Sequence, residues 1–296
     1  MNSILVIGSS NTDMVIKTKK LPTPGEIIFG GTYMMNSGGK GANQAVAAAR
    51  LGGKITFITK RGNDLLGNQV VGLLMREGID TQYIVKDIEH PSGIALIIVD
   101  SNGENIIVVA PGSNDHLMPE DLPQHLFEAI KFEIILLQLE IPISTVEYSA
   151  VTASENGIKV ILNPSPSQKL SENLFKHTWL ITPNETEAEI LTGIRVNDIS
   201  SAKNAASSLQ KKGVKNIIIT MGAAGAYIKS KSYTGLVSGV EAKAVDTTAA
   251  ADVFNGALAF ALAEKRPLKE AVAFANKAAS ISITRLGAQA SAPFRN

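Results

Sequence analysis

The chain has 296 residues, 45% hydrophobic and 19% charged, which suits a soluble globular protein with one large α/β domain or two ordinary ones. A net charge of +1 leaves no global field for nucleic acid or membrane, and zero cysteines exclude disulfides, thiolate metal sites and a cysteine nucleophile. The opening MNSILVIGSS lacks a signal peptide's basic region, and no apolar run reaches the ~20 residues of a membrane span, so a cytoplasmic location is expected.

Residues 4–7 read as a first buried strand, closed by the turn residues Gly8-Ser9-Ser10-Asn11. Helical patterns follow at 42–51, 69–77, 144–156, 185–191, 201–212, 253–264 and 268–285. Short apolar runs at 55–59, 133–139, 160–162, 179–181 and 216–220 read as further strands. Strands separated by helices predict a parallel sheet covered on both faces, with ligands at the carboxyl ends of its strands. That places Asn11, Asp13, Glu140, Asn163, Asn184, Thr220 and Asp252 near one rim.

Two segments break the alternation. Residues 13–16 and 26–35 read as extended chain, and 93–100 with 104–109 as a hairpin around Ser101-Asn102-Gly103. They predict a small separate sheet whose apolar face needs a cover, either a ligand or another subunit. No internal repeat or long linker interrupts the chain.

The segment AVDTTAAADVFNGALAFALAE, from Ala244 to Glu264, is the most informative. Small residues opening a helix leave N–H groups free for an anion, and Asp252 beside them can take a proton from a hydroxyl. The alternative is that Asp252 only caps the helix. Gly38-Gly39-Lys40-Gly41-Ala42-Asn43-Gln44 opens another helix. Its glycines allow close backbone approach, but it lacks the Ser or Thr of a P-loop and the third glycine of a dinucleotide loop. Asn184-Glu185-Thr186-Glu187 reads either as a capping box or as a place for hydrated magnesium near Glu187. The glycines of Thr220-Met221-Gly222-Ala223-Ala224-Gly225 suit a nucleotide's phosphates or a hairpin turn. His90, His116, His125 and His177 show no metal or triad spacing.

Taken together, the motifs resemble the ribokinase (phosphofructokinase-B) family of carbohydrate kinases along essentially the whole chain. The resemblance is carried by Gly8 to Asp13, Pro22 to Glu26, GGKGANQA from Gly38, Gln138-Leu139-Glu140 and Asn163-Pro164-Ser165-Pro166. It continues through Pro183 to Glu187, Asp246-Thr247-Thr248, Asp252, Asn255-Gly256-Ala257 and Thr284 to Gln289. It implies one three-layer α/β domain over 1–296 with a β-sheet lid from about 13–36 and 93–110, and a homodimer formed through that lid. The implied reaction is ATP-dependent phosphorylation of D-ribose to D-ribose 5-phosphate, with magnesium accompanying ATP and potassium as activator.

By the same resemblance Asp252 is the base for the 5-hydroxyl, with Ala249, Ala250 and Ala251 as the anion hole. Asn11, Asp13, Gly39, Lys40, Asn43 and Glu140 hold the sugar. Asn184, Thr220, Gly222, Gly225 and Asn276 line the nucleotide site, and Glu187 places magnesium through water. Asp246, Thr248, Ser282, Arg285, Gly287 and Ser291 surround potassium. The chain departs from the family at Ala251, where glycine is usual, at Val253 for Thr, and at Ala224 for a polar or charged residue. A methyl at 251 is expected to crowd the transferred phosphate, and a positive φ there would add strain. The alternatives are a kinase for deoxyribose or a ketose, and a sugar-binding protein with an impaired kinase site.

Overall fold

A computed structural model describes residues 3–123, 125–129 and 131–295; the outermost positions of the expected 1–296 domain lie outside the described residues. Eight strands form the main sheet. From one edge to the other they are Thr234–Ser238, Gly225–Lys229, Asn216–Thr220, Leu180–Ile181, Lys159–Leu162, Ile134–Leu137, Ser3–Ile7 and Lys54–Ile58. The strands from Asn216–Thr220 to Lys54–Ile58 run parallel, and the first two add an antiparallel hairpin at the edge.

Alternate residues of each strand enter opposite cores, the period of two that a strand imposes. Ile4, Val6, Ile134, Leu136, Ile161 and Ile218 face the helices Lys40–Arg50, Ala250–Ala263 and Leu268–Ser282. Leu5, Ile7, Ile135, Leu137, Val160 and Ile217 face Ile143–Glu155, Glu185–Thr192 and Ile199–Lys211. Burial on both faces explains why these strands read as unbroken apolar runs, and it yields the expected three layers.

The lid is a separate four-stranded sheet in the order Thr32–Gly38, Asn11–Lys17, Gly93–Val99, Asn105–Ala110. Its hairpin turns at 101–103 as expected, with Gly103 at φ 86° and the Asp100 carboxylate accepting the Asn102 and Glu104 N–H groups. The extended chain expected from residue 26 begins only at Thr32. Gly30 and Gly31 have φ of 94° and 125°, values that a strand does not take, and the sheet forms after them. The expected helix 268–285 likewise stops at Ser282, where the chain turns to meet Asp246.

Candidate active site

Asp252 lies in the first turn of Ala250–Ala263 but does not cap it. The cap position is Ala249, which makes no side-chain cap bond. The Asp252 carboxylate is buried and turns instead to the helix Lys40–Arg50: Oδ2 accepts from Asn43 Nδ2 and Oδ1 from Gln44 Nε2, both at 2.9 Å. Gly256, one turn further on, lets the two helices approach, since a Cβ there would stand 2.5 Å from the Gln44 carbonyl oxygen. Burial pushes the Asp252 pKa up. Lys40 and the Asn43 and Gln44 hydrogen bonds oppose that shift, while Glu140 adds to it.

A positive φ is found at Ala249, with φ 58° and ψ 14°, and not at Ala251. Ala251 is already helical and exposed, so the strain that a positive φ would add there does not arise and only the methyl group's bulk remains. Among the three alanines, Ala250 has its N–H engaged by the Thr247 carbonyl at 3.2 Å. The Ala251 carbonyl is held by Asn255 Nδ2 at 2.8 Å, and Asn255 Oδ1 in turn accepts from Thr182 Oγ1 at 2.6 Å.

The residues expected on the sugar side converge from three directions. Asn11 and Asp13 lie on one lid strand, Gly39, Lys40 and Asn43 open the first long helix, and Glu140 follows Ile134–Leu137. One Glu140 oxygen accepts from Lys40 N at 2.9 Å and Ser9 Oγ at 2.5 Å, anchoring an anion at the helix start where the dipole favours it. Gly39 has φ 86°, and a Cβ there would meet the Ser10 backbone at 2.7 Å. Asn11 Oδ1 accepts from Asn114 Nδ2 at 2.7 Å, which leaves its own amide donors for a ligand. Asn43 Oδ1 is buried and has no hydrogen-bond partner among the described residues.

The charges are tightly grouped. The Asp13 pKa is pushed up to about 6, first by burial and then by repulsion from Glu140 and Asp252. Burial works against the Lys40 charge, but Asp252, Glu140 and Glu187 outweigh it and hold its ammonium above the usual range. Lys40 is therefore the countercharge to three carboxylates.

On the other side, Asn184 and Glu187 form the capping box in full: Asn184 Oδ1 accepts from Glu187 N at 2.8 Å and Glu187 Oε2 from Asn184 N at 2.9 Å. Capping and facing the site coexist, because Glu187 is buried within the fields of Lys40 and Asp252. Its carboxyl pKa is raised by burial against the Asn184 and Ser165 hydrogen bonds. Asn184 and Thr220 are paired in a parallel bridge, with Thr220 N bonded to the Pro183 carbonyl. The Thr220–Gly225 stretch is the hairpin connection. Gly225 has φ 105°, and a Cβ there would lie 2.2 Å from the Val237 carbonyl oxygen, so hairpin closure explains this glycine. A Cβ on Gly222 would meet open space. Asn276 is buried and spends its Nδ2 on the carbonyls of Val237 and Ser238, bracing that wall.

The expected potassium residues come from the loop at 246–248 and from the segment 282–291, which runs from the end of one helix into a short one. Val245 and Asp246 donate to the Ile283 carbonyl, and the Asp246 carboxylate accepts from Thr248 N and Gly287 N, each at 2.9 Å. Burial opposes the Asp246 charge, but the Thr248 and Gly287 hydrogen bonds prevail and hold its pKa down. Ser282 and Ser291 donate their hydroxyl protons to Ala279 and Ala288, while the Arg285 side chain is exposed.

Sequence reasoning gave no role to the polar residues beneath the site, Gln44, Gln138, Asn114, Thr182 and Asn255, all buried, although Gln44, Gln138 and Asn255 lie within its motifs. For Gln138 the signal is a lone amide after the apolar run ILL and for Gln44 an amide opening the small-residue run AVAAA, whereas Asn114, in the polar stretch GSNDH, carries no such signal.

Residues 1–295 match the profile of the pfkB family carbohydrate kinase. The chain is 45% identical to a ribokinase of Haemophilus influenzae over 99% of this chain and 96% of that protein. It is 37% identical to a deoxyribokinase of Salmonella typhimurium over 98% and 95%. A ribokinase structure from Thermotoga maritima superposes with a TM-score of 0.91 at 38% identity, covering 100% of this chain and 97% of that one. A structure of Arabidopsis thaliana ribokinase complexed with ribose and ATP gives 0.92 at 30%, covering 99% and 96%. On this fold, this site and these similarities, the chain belongs to the pfkB family of carbohydrate kinases.

Proposed function

We propose that this carbohydrate kinase transfers the γ-phosphoryl group of ATP to the 5-hydroxyl of D-ribose, giving D-ribose 5-phosphate. The observation that carries the reading is the buried Asp252 carboxylate, held by two amide donors at a helix start and facing the charge cluster of Asp13, Lys40 and Glu140. Asp252 takes the hydroxyl proton as the oxygen attacks, the O–P bond forms and the bond to ADP breaks. Of the three alanines at the helix start, Ala249 and Ala251 supply the amides that stabilise the charge on the phosphoryl oxygens, because the Ala250 N–H is engaged by the Thr247 carbonyl. Asn11, Asp13, Gly39, Lys40, Asn43 and Glu140 orient the sugar, and the similarity to ribokinases supports ribose as that sugar.

ATP lies on the side of Asn184, Thr220, Gly222, Gly225 and Asn276. Gly225 and Asn276 act there by shaping the wall. Magnesium bound with ATP neutralises phosphate charge, and Glu187, a buried carboxylate in the field of Lys40, suits a role in holding its hydration water. Asp246, Thr248, Ser282, Arg285, Gly287 and Ser291 supply the carboxylate, hydroxyl and carbonyl oxygens that fit an activating potassium ion. The lid's exposed Ile106, Ile107, Val108 and Val109 support a homodimer through that sheet. The absence of cysteine suits the reducing cytosol.

A coupled ADP-release assay across pentoses and hexoses, with and without potassium, tests the reading. Ribose with potassium is expected to give the highest kcat/KM. A second reading, 2-deoxyribose, is favoured by the deoxyribokinase similarity and predicts equal or better turnover of that sugar. No ADP release with any sugar would favour the impaired-site alternative that Ala251 motivates.

A further inference from the structure

A chain of buried amides reaches Asp252 from the middle of the main sheet. Gln138, just past the strand Ile134–Leu137, and Gln44, on the helix Lys40–Arg50, are both fully buried. Gln138 Nε2 donates to Gln44 Oε1 at 2.7 Å. Gln44 Nε2 donates to Asp252 Oδ1 at 2.9 Å and to Asn163 Oδ1 at 3.0 Å.

An ionised carboxylate only accepts, so Gln44 must present its nitrogen to Asp252. Gln138 lies on the other side of the same amide and donates to its oxygen, which suits that orientation alone. Packing holds the Gln138 side chain in place: its Oε1 occupies the space that a side chain at position 8 would fill, 2.0 Å from where a Cβ on Gly8 would stand, and this buried oxygen has no hydrogen-bond partner among the described residues. Turning the Gln138 amide over would set two carbonyl oxygens against each other with no proton between them.

We propose that Gln44 is a positioning residue that holds Asp252 aimed and ionised, and that Gln138 acts through Gln44 by fixing the direction of its amide. This rests on Asp252 being the base. Losing the Gln44 donor would leave burial less opposed, so Asp252 would ionise only at higher pH.

The test is kcat and KM for ribose against pH for the wild type, Gln44→Met, Gln138→Met, the double variant and Asp252→Asn. Gln44→Met is expected to lower kcat about 10- to 100-fold, as loss of a hydrogen bond to a charged group implies, and to move the acid limb of the kcat profile to higher pH. The KM for ribose should change by no more than about threefold, because the amide faces the carboxylate and not the sugar. Gln138→Met should act in the same direction by about 3- to 10-fold, and add nothing once Gln44 is Met, since residues acting through one another are not additive.

A purely packing role would lower Tm in each variant without moving the acid limb, and that result would overturn the proposal. So would a full additional loss in the double variant, which would make Gln138 independent of Gln44. Activity in Asp252→Asn would instead overturn the base reading itself, so the two failures are distinguishable. Where Gln44→Met does not fold, Gln44→Asn keeps a buried amide one methylene short of Asp252 and replaces it in the comparison.

Discussion

Gly256 packs directly on the backbone of Gln44: a Cβ at 256 would stand 2.5 Å from the Gln44 carbonyl oxygen and 2.8 Å from Ala47 Cβ. This contact lies one turn from Asp252 and sets how closely the base approaches Asn43 and Gln44. Gly256→Ala gains about 1 kcal/mol of helix propensity but forces the helices apart, an overpacking cost of about 1–3 kcal/mol. The expected outcome is a lower Tm with kcat reduced more than tenfold, as misplaced catalytic groups imply. Unchanged kcat in a folded variant would show that the crossing distance does not control the site.

Asp252→Asn keeps the shape and removes proton acceptance. Turnover is expected to fall by about 10²–10⁴, while ribose still binds in calorimetry without ATP. Retained turnover would reduce Asp252 to a structural residue and require another base.

Asp13 carries two linked expectations. Its pKa of about 6 in the fold stands above the ordinary value of 3.8, so the folded state binds more protons and its stability falls as pH rises through that window. Asp13→Asn should therefore raise Tm above about pH 6 and do little well below the ordinary value. If the ionised carboxylate accepts from ribose hydroxyls, ribose affinity should weaken as pH falls through about 6, and this dependence should vanish in Asp13→Asn. The wild type should also prefer ribose to 2-deoxyribose by about 1–3 kcal/mol, the cost of a buried hydrogen bond left unmade. Equal kcat/KM for the two sugars would place the specificity elsewhere.

The three layers were legible because six buried strands are apolar on both faces and the helices between them keep a 3.6-residue period. The edge hairpin of Gly225–Lys229 and Thr234–Ser238 was not, because Thr234–Ser238 is only partly buried and lacks a continuous apolar run, and the connecting turn is rich in Lys and Ser. Motif matching found Asp252, Asn43 and Lys40, which would face substrate. It contained Gln44 and Gln138 but gave them no role, because their proposed part depends on which atom of each amide points where. Gly225 reads in the sequence as suiting either a nucleotide's phosphates or a hairpin turn, and the Val237 carbonyl oxygen, 2.2 Å from where its Cβ would stand, shows why the hairpin needs a glycine there. The sequence alone leaves open whether the alanine beside the aspartate needs a positive φ. The turn needs it at Ala249, where the chain enters the helix, and only backbone geometry shows which of three identical residues bears it.

That distinction separates the effects of two glycine substitutions. Ala249 holds a left-handed conformation that costs an L-residue about 1–2 kcal/mol, and glycine removes this cost while adding about 0.4–1 kcal/mol of unfolded-state entropy. Ala249→Gly should therefore stabilise the protein by up to about 1 kcal/mol, a Tm rise of about 1–3 °C. Ala251 is helical and exposed, so Ala251→Gly relieves no strain and its effect on Tm should be neutral or slightly negative. Its methyl can still crowd a phosphate at the first-turn amides, and removing it should raise kcat about three- to tenfold, near 1 kcal/mol of transition-state binding. The ribose dissociation constant should stay the same in both variants, since neither alanine is among the residues assigned to the sugar. If Ala251→Gly leaves kcat unchanged, the methyl does not meet the phosphate, and the impaired-site alternative loses its support at that position.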